Sequence, residues 1–234
     1  MDNKEYLDLS VHEIKNILSA ISGYSEFISN RMVNGDKVLE FAEKIRGLSD
    51  VLAGYADKKY MYDLLHNHLY KAELEFVPVY EQLEKVRGKM AEHEPLDFLI
   101  SCEPDIKIYA DRLLMEELFN VLMENAVRYS PDGETAEIFV ARQGNETVVS
   151  IKNASEEITG EEIARLTEPY YRIDKAASRK MGGQGFGLAI ASEIMKLHDG
   201  EIIIAYENGY TIVELHFHFD EKERKKESIC TERL

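Results

Sequence analysis

The sequence predicts an α+β protein in which an antiparallel helical hairpin precedes a mixed α/β layer domain. Apolar residues recur at three- and four-residue steps through about the first 70 residues, a spacing typical of amphipathic helices. After about residue 74, short strand-like runs alternate with helical stretches. We therefore divide the chain into a hairpin over residues 1–73, a second domain over residues 74–220 and a charged tail over residues 221–234.

The hairpin is predicted from two periodic segments joined by a turn. The first helix is expected over residues 5–30, and the second from the Asn34-Gly35-Asp36 turn signal to about residue 70. In the first helix His12 falls on the polar face, opposite a cluster of isoleucines. A lone hairpin leaves much of its apolar stripe uncovered, whereas two hairpins packed as a four-helix bundle cover it. We therefore expect a homodimer.

The second domain is predicted to alternate strands with helices. Gly144-Asn145 and Asn208-Gly209 are residue pairs typical of the turns in β-hairpins. The expected strands cover residues 75–79, 96–100, 137–140, 148–151, 201–204 and 210–215. The expected helices cover residues 80–92, 111–129, 160–167 and 186–198.

Charge and composition exclude several classes of partner. The chain has 28 basic and 44 acidic residues, a formal net charge of −16, which argues against nucleic acid and anionic membranes because both need a basic surface. Its two cysteines are far apart and form no metal-binding pattern. The N-terminus lacks the apolar core of a signal peptide, and the longest aliphatic run is too short to span a bilayer. We expect a cytoplasmic protein without direct membrane insertion.

The segment His12-Glu13-Ile14-Lys15-Asn16 combines an imidazole, a carboxylate and an amide on one predicted helix. An imidazole with one deprotonated nitrogen is a competent nucleophile. A carboxylate next in sequence can reach the other nitrogen or its proton. Asn16 follows His12 by one turn on the same face.

A glycine-rich segment, Gly182-Gly183-Gln184-Gly185-Phe186-Gly187-Leu188-Ala189-Ile190, lies just before a predicted helix. Glycines allow backbone N–H groups to approach phosphates, and the N-terminus of the following helix favours negative charge. The helix is expected to end with Gly200 as its C-terminal cap. This pattern indicates a phosphate-binding loop.

Four segments in this order resemble the boxes of sensor histidine kinase transmitter regions, over about residues 5–219. The resemblance implies a phosphoacceptor hairpin followed by a Bergerat-type ATP-binding sandwich. It implies that His12 accepts a phosphoryl group, that Glu13 orients or deprotonates the imidazole, and that Asn16 helps water to attack the phosphorylated partner. The segments are His12–Asn16, Glu124–Ser130, Tyr170–Lys175 with the basic Ser178–Lys180 lid, and Gly182–Ile190.

The same resemblance implies ATP and Mg²⁺ as cofactors. Asn125 corresponds to a magnesium ligand, Arg128 to a phosphate contact and Tyr129 to a residue near the base, and the cationic lid covers the phosphates. The residues implied to bind ATP are Asn125, Arg128, Tyr129, Asn153, Lys180, Gly183, Gly185, Phe186, Gly187 and Leu188.

The sequence departs from the family pattern at the base-binding segment and on the predicted helix over residues 111–129. Asn153 stands where the family has an aspartate that accepts a bond from the adenine amino group, while Ser155 and Glu157 replace two glycines. Val121 stands where a second asparagine is common, with Asn120 one residue off register. Losing glycine restricts the backbone, and a carboxylate there repels a polyanion. We expect weaker nucleotide binding.

The favoured interpretation is a two-component histidine kinase, in which ATP phosphorylates His12 and the phosphoryl group passes to an aspartate of a response-regulator receiver domain. One alternative is a histidine phosphotransferase or response-regulator phosphatase with a degenerate nucleotide domain. Another is a non-catalytic dimeric scaffold that binds nucleotide as a regulatory ligand. The sequence contains no recognisable sensory region. Two explanations stay open: the chain is a partner of a separate sensor protein, or it is a fragment of a longer sensor.

Overall fold

The computed structural model describes residues 3–90, 97–173 and 185–218, with side chains from residue 14 onward. It confirms the predicted α+β class. The helices are α1 (Asn3–Ser29), α2 (Asp36–His66), α3 (Val79–Met90), α4 (Arg112–Tyr129), α5 (Gly160–Ile163) and α6 (Gly187–Leu197). The strands are β1 (Leu74–Pro78), β2 (Asp97–Cys102), β3 (Lys107–Asp111), β4 (Thr135–Gln143), β5 (Glu146–Ala154), β6 (Glu201–Glu207) and β7 (Tyr210–His218).

The chain packs as two compact units, and the division falls inside α2 between Met61 and Tyr62. Among the described residues, the first unit contains α1 and most of α2. The second contains the last turn of α2 and the elements from β1 to β7. The domain limits at residues 73 and 220 stay predictions.

In the first unit, aromatic rings beside the loop hold α1 and α2 together. The ring of Phe41 on α2 lies 4.9 Å from that of Tyr24 and 5.9 Å from that of Phe27, both on α1. Other large apolar side chains on these helices remain exposed in the single chain, including Leu18 and Leu39. The unit therefore has apolar surface left to bury.

The second unit is built on a five-stranded sheet of order β2-β4-β5-β7-β6. The β2–β4 pair is parallel and the other pairs are antiparallel. Left-handed backbone at Gly144, with φ of 64°, and at Asn208 and Gly209, with φ of 52° and 89°, forms the two hairpin turns. Both predicted turns are confirmed.

The core lies between this sheet and a helical layer. Val149 and Ile151 of β5 and Leu215 of β7 are buried on one face of the sheet. On that side α4 packs against β5 and α6, and α6 packs against β6. The chain segments next to these strands and helices therefore lie close together, on the face of the sheet that the helices cover.

The short strand β3 was not predicted from the sequence. β3 pairs antiparallel with β1, from Leu74 opposite Asp111 to Pro78 opposite Lys107. Its five residues lie directly before α4, so the helical pattern that follows obscured their alternation. Asp111, expected inside the helix, is instead its N-cap, and its carboxylate accepts bonds from the Leu113 and Leu114 backbone N–H groups.

α2, expected to about residue 70, ends at His66. Two other predicted elements differ in extent. The helix expected over residues 160–167 is one turn, α5, closed by a capping box between Thr159 and Glu162. Val79, expected at the end of a strand, begins α3 because β1 ends at Pro78. Both differences lie at element ends, where local propensity is weakest.

Candidate functional site

The predicted phosphoacceptor residues lie on one uninterrupted helix. His12, Glu13 and Asn16 all belong to α1, which puts Asn16 one helical turn after His12. The side chains of His12 and Glu13 lie outside the described part of the structure. The Asn16 side chain is exposed. α1 therefore provides the spacing that the predicted chemistry requires.

The last two turns of α4 carry three of the predicted nucleotide residues. Asn125 and Arg128 are half-buried, and Tyr129 is exposed. Val121, one turn before Asn125, is only 2% exposed and belongs to the core. Asn120, one residue earlier, has a partner of its own, because its Nδ2 donates to Glu124 Oε1 at 2.9 Å.

At the end of β5, Asn153 is almost fully buried, with 4% of its surface exposed. Its Nδ2 donates to the backbone carbonyl of Ala154 at 2.9 Å. It pairs in register with Thr211 of β7, which is also buried. The sequence analysis did not single out Thr211, which was one residue of a predicted strand. The signal available in the sequence was its position just after the Asn208-Gly209 turn.

The serine that replaces a family glycine has partners of its own. Ser155 Oγ lies 2.7 Å from Thr211 Oγ1, and the Ser155 backbone N–H donates to the Gly209 carbonyl at 3.1 Å. Neither Ser155 nor Glu157 has a positive φ, so neither position demands glycine. Glu157 is exposed, which leaves its charge in solvent.

Two glycines of the predicted phosphate loop, Gly185 and Gly187, lie in the described part of the structure. Only Gly185 has a backbone geometry that requires glycine. Its φ is +73°, and a Cβ at Gly185 would lie 2.7 Å from the carbonyl carbon of Tyr170. The Tyr170 backbone N–H donates to the Gly185 carbonyl at 2.8 Å. Gly187 has no such restriction, since its Cβ would meet only Val121, at 3.8 Å. Lys180 and Gly183 lie outside the described residues.

Phe186 anchors the loop at the start of α6. Its ring is fully buried, with ring centroids 4.6 Å from Tyr170 and 5.8 Å from Tyr62. Its carbonyl accepts the Ile190 N–H, which begins the helix. The ring of Phe186 is therefore part of the core, and Leu188, two residues further along, is half-buried.

A polar cluster not predicted from the sequence lies beside Phe186. The ring of Tyr62, in the last turn of α2, stacks on His66 at 5.2 Å, and His66 Nδ1 lies 3.4 Å from Glu193 Oε1. Burial acts to raise the pKa of the Glu193 carboxyl, but bonds from Lys196 and His66 outweigh it and the pKa is lowered. Glu193 therefore stays ionised within α6.

The end of α6 is connected to the start of α4 through His198. The Asp111 backbone N–H donates to His198 Nε2 at 3.0 Å, and His198 Nδ1 lies 2.7 Å from the Ile194 carbonyl. Nδ1 therefore carries the proton of a neutral imidazole. Burial lowers the pKa of His198, against the opposing effects of the Ile194 carbonyl, Asp111 and Asp199.

The predicted cap at Gly200 has a different basis. Asp199, with φ of 50°, is the left-handed residue that ends α6, and the Gly200 N–H donates to the Met195 carbonyl. Gly200 is required by close packing, because its Cβ would lie 2.7 Å from the backbone oxygen of His216 on β7.

A helical hairpin followed by this sandwich, with its amide-bearing helix, buried asparagine and glycine loop, defines the class of histidine kinase transmitter regions. Residues 110–221 match the family model described as histidine kinase-, DNA gyrase B-, and HSP90-like ATPase. This part of the chain is similar to that family, and the predicted resemblance to sensor histidine kinases is confirmed.

Individual relatives agree with this assignment. Sensor protein VanS of Enterococcus faecium is 35% identical over 133 residues, which cover 56% of this chain and 32% of VanS. Histidine kinase AdeS of Acinetobacter baumannii has a similar fold, with a TM-score of 0.74, 19% identity, and coverage of 90% of this chain and 98% of that one. Histidine kinase ThkA, solved in complex with response regulator protein TrrA, gives a TM-score of 0.73 at 17% identity, covering 94% of this chain and 63% of that one.

The chain spans about a third of the length of the curated relatives it matches, 32% for VanS. None of the helices within the described ranges combines the length and the apolar character needed to cross a bilayer.

Proposed function

We propose that this chain is the core of a two-component histidine kinase, which transfers the γ-phosphoryl group of ATP to His12 and then to an aspartate of a receiver domain. One observation carries the proposal. The residues expected at the base, the phosphates and the metal come from three segments, with Asn153 near the end of β5, Gly185 before α6 and Asn125 on α4. These segments are neighbours because α4 packs against β5 and against α6.

The residues present fit a nucleotide. Asn153 is a buried amide, and Gly185 keeps its backbone clear of a side chain that would fill the space beside Tyr170. Asn125 would hold Mg²⁺, which neutralises phosphate charge when bound. Arg128 and the loop backbone would contact the phosphates.

The remaining nucleotide contacts complete this assignment. Tyr129 is proposed to pack near the base. Lys180 and Gly183 are proposed to act with Gly185, Phe186, Gly187 and Leu188 around the phosphates.

The proposed chemistry on α1 is a phosphoryl transfer in two steps. A ring nitrogen of His12 forms a bond to the γ-phosphorus as the bond from that phosphorus to the bridging oxygen breaks, and ADP leaves with the electron pair. Glu13 accepts the imidazole proton. An aspartate oxygen of the receiver then displaces the histidine nitrogen. Asn16 positions water for the later hydrolysis of the acyl phosphate.

The proposed assembly is a homodimer in the cytoplasm, where ATP and receiver domains occur. Its support is the apolar surface on α1 and α2, which two hairpins could bury together. The complex of ThkA with TrrA supports a response regulator as the partner. A separate sensor protein is proposed as a further partner.

A receiver phosphatase or histidine phosphotransferase is the second candidate. It is favoured by Val121, whose burial in the core leaves Asn125 without a neighbouring amide one turn before it on α4. Such a protein would retain the hairpin chemistry of His12 and Asn16, but it would neither hydrolyse ATP nor transfer a phosphoryl group from it.

The test is incubation of the purified chain with γ-labelled ATP and Mg²⁺ beside His12→Gln. We expect an acid-labile label that the variant lacks. Asn16→Ala is the matched control on the same helix; it should still be labelled, but should slow the loss of phosphate from a receiver. Absence of label together with absence of nucleotide binding in calorimetry would refute the kinase proposal.

A further inference from the structure

We infer that Tyr62, in the last turn of α2, is a positioning residue for the phosphate loop, and that it acts through the ring of Phe186 at the start of α6. The inference rests on the proposed function, because it takes the backbone around Gly185 to meet the phosphates. Tyr62 lies outside the four segments that resemble histidine kinase boxes. It belongs to the second unit together with β1 to β7, so its contact with Phe186 lies within one compact body.

The ring of Tyr62 packs directly on the residue that anchors the loop. Its centroid lies 5.8 Å from that of Phe186, with the two rings tilted by 48°. Phe186 is fully buried, and its ring also meets that of Tyr170 at 4.6 Å. The Tyr170 backbone N–H in turn donates to the Gly185 carbonyl at 2.8 Å. Two aromatic rings therefore hold the residue that follows Gly185.

The backbone around Phe186 has little freedom, so a displacement of its ring is passed on to the loop. Gly185 has a φ of +73°, and its backbone is in close contact with that of Tyr170. The Phe186 carbonyl accepts the Ile190 N–H at 2.8 Å, which fixes the first turn of α6. A close-packed interior relaxes into the space left by a deleted ring, although only in part. Loss of the Tyr62 ring should therefore shift Phe186 and the loop beside it.

A second contact between α2 and α6 holds the Tyr62 ring in place. Tyr62 stacks on His66, one turn later on α2, with centroids 5.2 Å apart and ring planes 13° apart. His66 Nδ1 lies 3.4 Å from Oε1 of Glu193, a residue in the middle of α6. The end of α2 thus meets α6 at Phe186 and at Glu193, about two helical turns apart. Two separated contacts fix the direction of α6 as well as its position, and with it the direction of the N–H groups at its start.

The aromatic ring of Tyr62, and not its hydroxyl, makes the contacts with Phe186 and His66. Burial raises the pKa of the Tyr62 hydroxyl, and the charges of Glu193 and Asp63 act in the same direction, so the group stays neutral at physiological pH. Phenylalanine should therefore replace Tyr62 without loss, whereas alanine removes both ring contacts.

The experiment measures ATP binding to the full chain by calorimetry in the presence of Mg²⁺, well below the unfolding temperature of each variant. Tyr62→Ala should weaken binding by about fivefold, the order of one aromatic pair. Tyr62→Phe should bind ATP as tightly as the natural chain. Tyr60→Ala is the matched control, because Tyr60 lies on the same helix and is 65% exposed, and it should leave binding unchanged.

The dissociation constant separates positioning from a purely structural role. A structural residue would lower the unfolding temperature and leave ATP binding to the folded protein unchanged; that result for Tyr62→Ala would overturn the inference and leave the kinase proposal intact. A fivefold loss in Tyr62→Phe would also overturn it, because the ring is retained. Absence of ATP binding by the natural chain would refute both.

A second variant covers the case in which Tyr62→Ala does not fold. His66→Ala removes the stacked partner and the contact with Glu193 at a side chain that is 56% exposed, so the fold should tolerate it. It should weaken ATP binding by about twofold, the order of one exposed charged contact. Unchanged ATP binding by His66→Ala would then overturn the inference.

Discussion

The ring of His198 at the end of α6 accepts the backbone N–H of Asp111 at the start of α4, across 3.0 Å. A protonated ring has no acceptor left, so this bond exists only in the neutral form. Burial lowers the pKa of His198 in the folded chain, whereas an unfolded histidine has a pKa of about 6.5.

The first prediction concerns stability at acid pH. Below about pH 6.5 the unfolded chain takes up a proton that the folded chain resists, so the free energy of unfolding should fall by about 1.4 kcal/mol for each unit by which the two pKa values differ. Urea unfolding between pH 8 and pH 5 measures it. His198→Gln does not titrate and should lose less stability over this range; an equal loss in both proteins would contradict the assignment.

The second prediction concerns the loop glycines. Gly185→Ala should destabilise the second unit by about 1 to 3 kcal/mol and weaken ATP binding, because it combines a left-handed φ with a clash against the Tyr170 backbone. Gly187→Ala is the matched control, since its Cβ has room beside Val121. Thermal unfolding and calorimetry compare them. Equal effects of the two substitutions would show that the Tyr170 contact is unimportant.

The third prediction concerns Asp111, whose carboxylate joins three segments. It accepts the Tyr70 hydroxyl, the Glu73 N–H and two N–H groups of the first turn of α4. Asp111→Ala should cost about 2 to 3 kcal/mol, since it removes a helix cap and leaves a backbone N–H unpaired. Tyr70→Phe removes one bond only and should cost about 1 kcal/mol or less. Urea titration of the three proteins provides the comparison.

The fourth prediction tests the proposed dimer. Leu18 on α1 is 48% exposed in the single chain, and a charge there would oppose burial between hairpins. Leu18→Glu should convert the dimer into a monomer in sedimentation experiments, with unchanged helical circular dichroism. Leu113→Glu, on an exposed position of α4, should remain dimeric. A natural chain that sediments as a monomer would refute the proposal directly.

Local patterns predicted most of the fold. Alternation and the turn pairs at Gly144 and Asn208 located both hairpins because a two-residue turn fixes the register of its strands. β3 could not be found in this way, since its partner β1 lies far away along the sequence. The contribution of Gly200 was also hidden, because the close approach of His216 appears only when β7 packs beside the end of α6.

The candidate site was predictable in its motifs and not in its contacts. The resemblance selected Asn153 and Gly185, whose neighbourhoods are now described. The hydroxyl pair of Ser155 and Thr211 depends on a strand pairing that no spacing in the sequence indicates. The same pairing explains why a serine is accommodated where the family has glycine.

The pairing of β5 with β7 also affects the order in which the second unit folds. β4 with β5 and β6 with β7 are local hairpins that can form early, whereas Ser155 and Thr211 meet across a sequence separation of 56 residues. The segment around Asn153 and Ser155 is therefore not assembled until β7 has paired with β5. We expect nucleotide binding to appear only late in folding, when the sheet is complete. A bound nucleotide would then stabilise the whole sheet against unfolding.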